Sequence, residues 1–469
     1  MANSSIAPSA ARGRLSTARI LGFAAPDIPS AALLLVMSTY LPNFYTGYVG
    51  LSLLAFTFAT TTVRFVDIVF DPFIGWVMDR TRLKVGRFRP WYVVGVPFLM
   101  VGLYMVLNPA KGATTNYLMI WYLVAYIGIS ITVLSHAAWA ASMAGDYHQR
   151  SRIYGWMTAV AAVGSIGLLI LPLVTHGKVV LGKGESMGTV SLIIVALLPL
   201  MTLVMLATSP ERASVDVQNQ GQRFALADYW SMLTRPTMLR LIGADLILTL
   251  GPGITAPIYF FFFNQVKHFH AAQISFLLVP YIGAALLGGL FWAQVSLRIG
   301  KHRTLQVGAL CYAVTQSTLM IIPDGLFWPT MAGMFAVGFC VSVFVLMIRA
   351  MVADYADEIR LEQGKERTGI LYAMVTTTQK IGASINVLIV FPILALFGFN
   401  PKMGAHNTDH ALFGLQMCYL FAPVVFVFLG AAMFIGYKLD AKRHAEIRAA
   451  LDERDEALAT AISIEAPIA

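Results

Sequence analysis

Charge is what this sequence has least of. Only 12% of its 469 residues are Asp, Glu, Lys or Arg, while 58% are hydrophobic and the mean hydropathy is +0.70. That balance excludes an ordinary soluble domain. Cysteine is scarce too. Cys311, Cys340 and Cys418 each fall inside an apolar run, which excludes an extracellular disulfide framework. The opening residues MANSSIAPSAARGRL lack the short apolar core and small-residue cleavage site of a signal peptide, so the first helix is expected to be retained. No nucleophile elbow, metal-ligand cluster or nucleotide loop occurs, and neither an enzyme nor a cofactor is expected. A formal charge of +9 taken alone suggests nucleic acid, but its distribution does not.

What is present is a succession of twelve apolar stretches, each near the roughly 20 residues that cross a bilayer. They begin near Thr17, Leu51, Trp91, Tyr117, Tyr154 and Thr189, then near Thr237, Ala271, Thr304, Leu326, Gly369 and Leu412. With a cytoplasmic N-terminus, one face of the membrane carries only Lys111, Lys178, Lys183, Lys267 and Lys402. Arg64 and Lys380 lie within helices, and the rest of the 33 basic residues fall on the other face. The positive-inside rule then predicts an inner-membrane protein with both termini cytoplasmic. The expected fold is all-α, with twelve transmembrane helices in two pseudo-symmetric six-helix bundles. Residues 1–209 form the first bundle, 210–236 a central cytoplasmic loop, 237–437 the second bundle and 438–469 a solvated tail.

The stretch from Asp67 to Trp91, DIVFDPFIGWVMDRTRLKVGRFRPW, organises the rest. Asp67 and Asp71 are four residues apart, so a helix stacks both carboxylates on one face. A carboxylate in hydrocarbon costs at least about 2.5–3.5 kcal/mol, and two repel each other. A cation, a proton or a basic side chain must compensate. Arg64 offers one partner for Asp67 as a plain ion pair, and it leaves Asp71 unexplained.

Other intramembrane polar groups follow along the chain. Asp27 lies just before Pro29 in the first apolar stretch, where an interrupted helix beside a cavity is expected. Thr132, Ser135, His136 and Trp139 cluster in the fourth stretch, although packing alone accounts for such residues as readily as ligand binding. Asp245 lies in the seventh, followed by Gly251, Pro252 and Gly253, which predict a broken helix. Asp27 and Asp245 hold corresponding places in the two halves, a mark of transporters built from repeats. Lys380 in the eleventh stretch leaves the intramembrane charge net negative, as a monovalent cation site requires.

Three groups of residues carry a family resemblance. They are Asp67-x-x-x-Asp71-Pro72, then Gly75-x-x-x-Asp79-Arg80-Thr81 with Gly86-Arg87-Phe88-Arg89-Pro90-Trp91, and finally Asp354-x-x-Asp357, Gly364-x-x-Arg367 and Lys380. In this order the chain resembles the glycoside–pentoside–hexuronide cation symporters of the major facilitator superfamily over nearly its whole length. The resemblance implies alternating access. It implies cation binding by Asp67 and Asp71 with an oxygen from Thr132 and with Lys380 beside them, and substrate contact by Asp27 and Trp139. Ser135, His136, Arg64 and Asp245 complete the expected substrate set. Asp79, Arg80, Arg87, Asp354, Asp357 and Arg367 are the expected gating set.

Phe70 stands where sodium-using members carry an asparagine ligand, and this favours H+ over Na+ as the coupling ion. Ser135 replaces an expected aspartate, and no basic residue lies between Ile153 and Thr175, where an arginine is expected. The reading is therefore coupled symport of a glycoside or related small solute by a monomer in the lipid bilayer. Two alternatives stand beside it: coupled transport of an amphipathic molecule, lysolipid-like or an aromatic glycoside, and a receptor that binds without translocating.

Overall fold

The computed structural model describes residues 15–81, 83, 86–110, 112–143, 147–179, 181, 184–209, 234–363, 368–402 and 405–465. These are nearly all helical. Residues 210–233 of the expected central loop lie outside them, as does Arg367. The chain divides into two compact units, Met1–Asn219 and Gln220–Ala469.

The first unit holds α1 (Thr17–Val49), α2 (Leu53–Arg80), α3 (Arg89–Leu107), α4 (Thr115–Met143), α5 (Tyr147–Val174) and α6 (Gly184–Thr208). The second holds α7 (Pro236–Val266), α8 (Ala271–Ile299), α9 (Lys301–Ile321), α10 (Phe327–Gln363), α11 (Thr368–Leu396), α12 (Asp409–Ala432) and a last helix, α13 (Ala441–Glu465). Eleven of these are long and apolar enough to cross a membrane. The twelfth expected span is α9, a continuous helix of 21 residues whose hydropathy is diluted by Lys301, His302, Arg303, Gln306 and Gln316.

Packing repeats between the units. In the first, α1 packs on α5 and α6, α2 on α4, and α3 on α4 and α6. In the second, α7 packs on α11 and α12, α8 on α10, and α9 on α10 and α12. Adding six to each helix number converts one list into the other. Large apolar side chains such as Val69, Leu290, Leu297, Leu310 and Leu396 stay on the outside, as lipid-facing surfaces require.

Small residues set the closest approaches. A Cβ on Gly102 would strike the backbone of Ala125, and one on Gly128 the backbone of Leu99, so α3 and α4 cross nearly backbone to backbone. Gly128→Ala is expected to cost about 1–3 kcal/mol through overpacking. A lowered melting temperature in detergent would show it, with Gly289→Ala, where a Cβ meets nothing within 4 Å, leaving stability unchanged.

Two local expectations need correction. The break in α1 falls at Ala25–Pro26, and Pro29 sits in the first turn of the following segment, Asp27–Leu35, where its missing N–H costs little. Helix α7 runs unbroken through Gly251, Pro252 and Gly253 to Phe261. There the two glycines admit Val427 of α12 and Asn386 of α11 against the helix, so they serve packing and not interruption.

Candidate substrate and cation site

On α2, Asp67, Asp71, Ile74 and Met78 recur at helical spacing and form one stripe. Ile74 and Met78 are buried with Ile131 of α4, and Phe70, Trp91, Ile127 and Leu134 pack around them. That apolar contact fixes the register of α2 on α4. About two turns back along α2, it delivers the buried Asp67 to Ser130, whose hydroxyl donates to Asp67 Oδ1. Asp71 lies half-buried on the same stripe.

Thr132 was the expected oxygen donor, yet its hydroxyl turns back on its own helix, donating to Gly128 O at 2.8 Å and Ile129 O at 3.0 Å. Its methyl lies where a Cβ on Gly95 of α3 would strike it. Ser130 and Thr132 are about 200° apart around the helix, so they serve different neighbours. Sequence reasoning passed over Ser130. The signal was there, because Ser130 is three residues after Ile127 and four before Leu134, within the stripe that faces α2. Arg64 has its guanidinium carbon 6.0 Å from the Tyr126 ring centroid, beside the Tyr122–Tyr126 hydroxyl pair.

A second cluster surrounds the break in α1. Asp27 begins the second segment, where the positive end of the helix dipole favours a carboxylate. Its Oδ1 is 3.3 Å from His136 Nδ1 of α4, and His136 Nε2 is 3.0 Å from Phe23 O. The Phe23 ring lies 4.4 Å from His136 and stands edge-on to Trp139 at 5.4 Å. Tyr92 of α3 stands edge-on to the imidazole, at 5.5 Å. Two polar atoms in this buried cluster have no hydrogen-bond partner among the described residues: Asp27 Oδ2, an acceptor, and Trp139 Nε1, a donor. Ser135 is buried with its hydroxyl on Ile131 O at 2.6 Å.

At the end of α2, Arg80 covers the Trp76 ring at 3.7 Å. Arg87 donates to Met78 O at 3.4 Å, Arg89 to Leu206 O at 2.9 Å and Trp91 to Thr81 Oγ1 at 2.9 Å. The basic turn is thus tied to the carbonyl ends of α2 and α6, where positive charge is favoured. The side chain of Asp79 lies outside the described residues.

In the second unit, Asp245 of α7 is buried and accepts from Gln379 Nε2 of α11 at 3.3 Å. Lys380 follows on α11, and Ser384 Oγ donates to its carbonyl at 2.8 Å. Helix α10 has 37 residues, about 55 Å, and so outruns the hydrocarbon layer and carries Asp354 and Asp357 near its end. Asp354 binds Lys301 at 2.5 Å and His444 at 3.3 Å, and Asp357 binds His444 at 3.1 Å and Arg448 at 3.5 Å. These partners belong to α9 and α13. The tail was expected to be a solvated helix, but α13 docks, with Ile447 and Leu451 buried.

Comparison with known proteins bears on this arrangement. The profile of the MFS/sugar transport protein family matches residues 22–441. The isoprimeverose transporter of Lactiplantibacillus pentosus is 25% identical over 414 residues, covering 86% of this chain and 85% of that one. A glucuronide carrier protein homolog of Escherichia coli (strain K12) is 22% identical, covering 94% of this chain and 96% of its own. Among solved structures, the nucleoside transporter NupG superposes with a TM-score of 0.67 at 13% identity, covering 90% of this chain and all of its own. At that identity the likeness speaks for the fold alone.

Proposed function

This chain belongs to the MFS/sugar transport protein family, the glycoside–pentoside–hexuronide cation symporters that its motifs resemble, and on that premise we propose that it imports a glycoside by symport with a proton. It is an integral membrane protein. The observation that carries the substrate class is the pair of unpartnered atoms around Phe23. A buried polar atom without a partner is costly, and its presence calls for an explanation. A sugar hydroxyl both donates and accepts, and one such group is expected to serve Asp27 Oδ2 as donor and Trp139 Nε1 as acceptor.

In this proposal Asp67 and Asp71 take the coupling ion, and Lys380 is a further residue of cation coupling. A hard metal cation requires several oxygen ligands. Phe70 packs apolar and offers no oxygen ligand, which supports a proton over sodium. Asp79, Arg80, Arg87, Asp354, Asp357 and Arg367 form the gating set of alternating access. Both termini lie in the cytoplasm, the bilayer is the inner membrane, and one chain suffices.

The test is uptake into proteoliposomes under an imposed pH or sodium gradient. The panel holds methyl glucoside, a xylose-containing disaccharide, nitrophenyl galactoside and lysophosphatidylcholine. Glycoside uptake driven by the pH gradient is the expected result, and uptake of the lysolipid alone would contradict it. Ser130→Ala removes the hydroxyl on Asp67, a bond of about 1.5–3 kcal/mol when the acceptor is charged. Losing a donor to the charged carboxylate favours its protonated form, so the expected effect is a roughly tenfold or greater gain in apparent affinity for the coupling proton.

A further inference from the structure

Among the described residues of α4, His136 reaches both sides of the break in α1. Phe23 lies in the last turn of the segment Thr17–Ala24, where helical carbonyls lack partners of their own helix, and its carbonyl faces Nε2. Asp27 lies in the first turn of the next segment and faces Nδ1. A carbonyl oxygen only accepts, so Nε2 is the nitrogen assigned the hydrogen that bonds Phe23 O, and Nδ1 stands 3.3 Å from Asp27 Oδ1. The ring has little freedom to turn, with Phe23 on one side and Tyr92 on another. One carboxylate oxygen of Asp27 is therefore occupied, while Oδ2 is left open.

We infer that His136 is a positioning residue: it clamps the break in α1 and orients Asp27 so that Oδ2 alone accepts a substrate hydroxyl. The inference rests on the reading of Asp27 as a substrate contact. It adds a specificity rule. A carboxylate with both oxygens open grips two neighbouring hydroxyls, whereas Asp27 held by His136 recognises one.

Two measurements test the inference together. Hydrogen exchange of the backbone over residues 20–30, read by mass spectrometry without substrate, reports the clamp. It is expected to quicken in His136→Ala and to return toward the wild-type rate in His136→Gln, whose amide restores a donor. Uptake kinetics with the panel glycoside that the wild type accumulates most report the positioning. His136→Ala is expected to raise KM about tenfold, the scale of one hydrogen bond to a charged group, with the maximal rate retained. In an Asp27→Asn background the same change is expected to add little, because the group it orients is already altered. Unchanged exchange in His136→Ala overturns the clamp. A wild-type KM in His136→Ala, with Asp27→Asn impaired, overturns the positioning role while leaving the transport reading intact. Altered exchange in a protein that takes up no glycoside supports the clamp and counts against the transport reading instead.

Discussion

Asp71→Asn is expected to abolish accumulation of glycoside against its gradient while leaving downhill exchange in place. A pH difference of about one unit stores about 1.4 kcal/mol per proton, enough for roughly tenfold accumulation when one proton moves with one substrate. The wild type should approach that ratio in proteoliposomes, and the variant should stop near equal concentrations on both sides. The physical reason lies in the stripe shared by Asp67 and Asp71 on α2. Two carboxylates one turn apart at membrane depth repel each other and pay for desolvation, so the empty site favours taking up a proton or cation. Asparagine keeps the size and polarity but carries no charge, which removes both the repulsion and the demand for a counter-charge. Asp67→Asn should behave alike, with the added loss of a charged acceptor for Ser130. Accumulation in Asp71→Asn equal to wild type would separate the acidic stripe from energy coupling.

The second large effect concerns substrate affinity. Asp27→Asn replaces a charged acceptor with a neutral amide and is expected to raise KM by about 10–100-fold, from the 1.5–3 kcal/mol of a hydrogen bond to a charged group. Trp139→Phe keeps a ring against Phe23 and deletes only the indole N–H. A neutral hydrogen bond of about 0.5–1.5 kcal/mol predicts a rise of roughly 2–10-fold. Both variants should keep their maximal rate, since a uniform binding contact acts on KM. Because one hydroxyl is expected to engage both groups, the double variant should lose less than the two single losses combined. Uptake kinetics on the four proteins check this, and full additivity would mean that the two atoms serve separate parts of the substrate.

The membrane fold was legible because hydrocarbon imposes a coarse rule. Long apolar runs and one-sided basic loops marked twelve spans, and packing of the helices repeats between the two units. Helix α9 shows how the rule blurs, since its polar residues lower its hydropathy though it packs as α3 does. Local backbone was harder to read. Proline and glycine mark both breaks and close packing, and nothing in the sequence distinguished Pro26 from Pro29 or showed that Gly253 admits Asn386. At the site, Asp27, Asp67 and Asp71 stood out because a carboxylate in an apolar run is rare. Ser130 did not, since a serine in a membrane helix is ordinary until its rotation about the axis is known. The tail was misread for a similar reason: Ile447 and Leu451 are two apolar residues in a charged helix, and their burial depends on Asp354 and Asp357 of a distant segment.

The most direct test of symport is to follow the pH inside proteoliposomes when glycoside is added outside with no ion gradient imposed. If substrate and proton cross together, the lumen acidifies in step with glycoside entry, and Asp71→Asn abolishes the change. Glycoside entry with a steady internal pH, and with no movement of sodium, would contradict symport and make the protein a passive carrier.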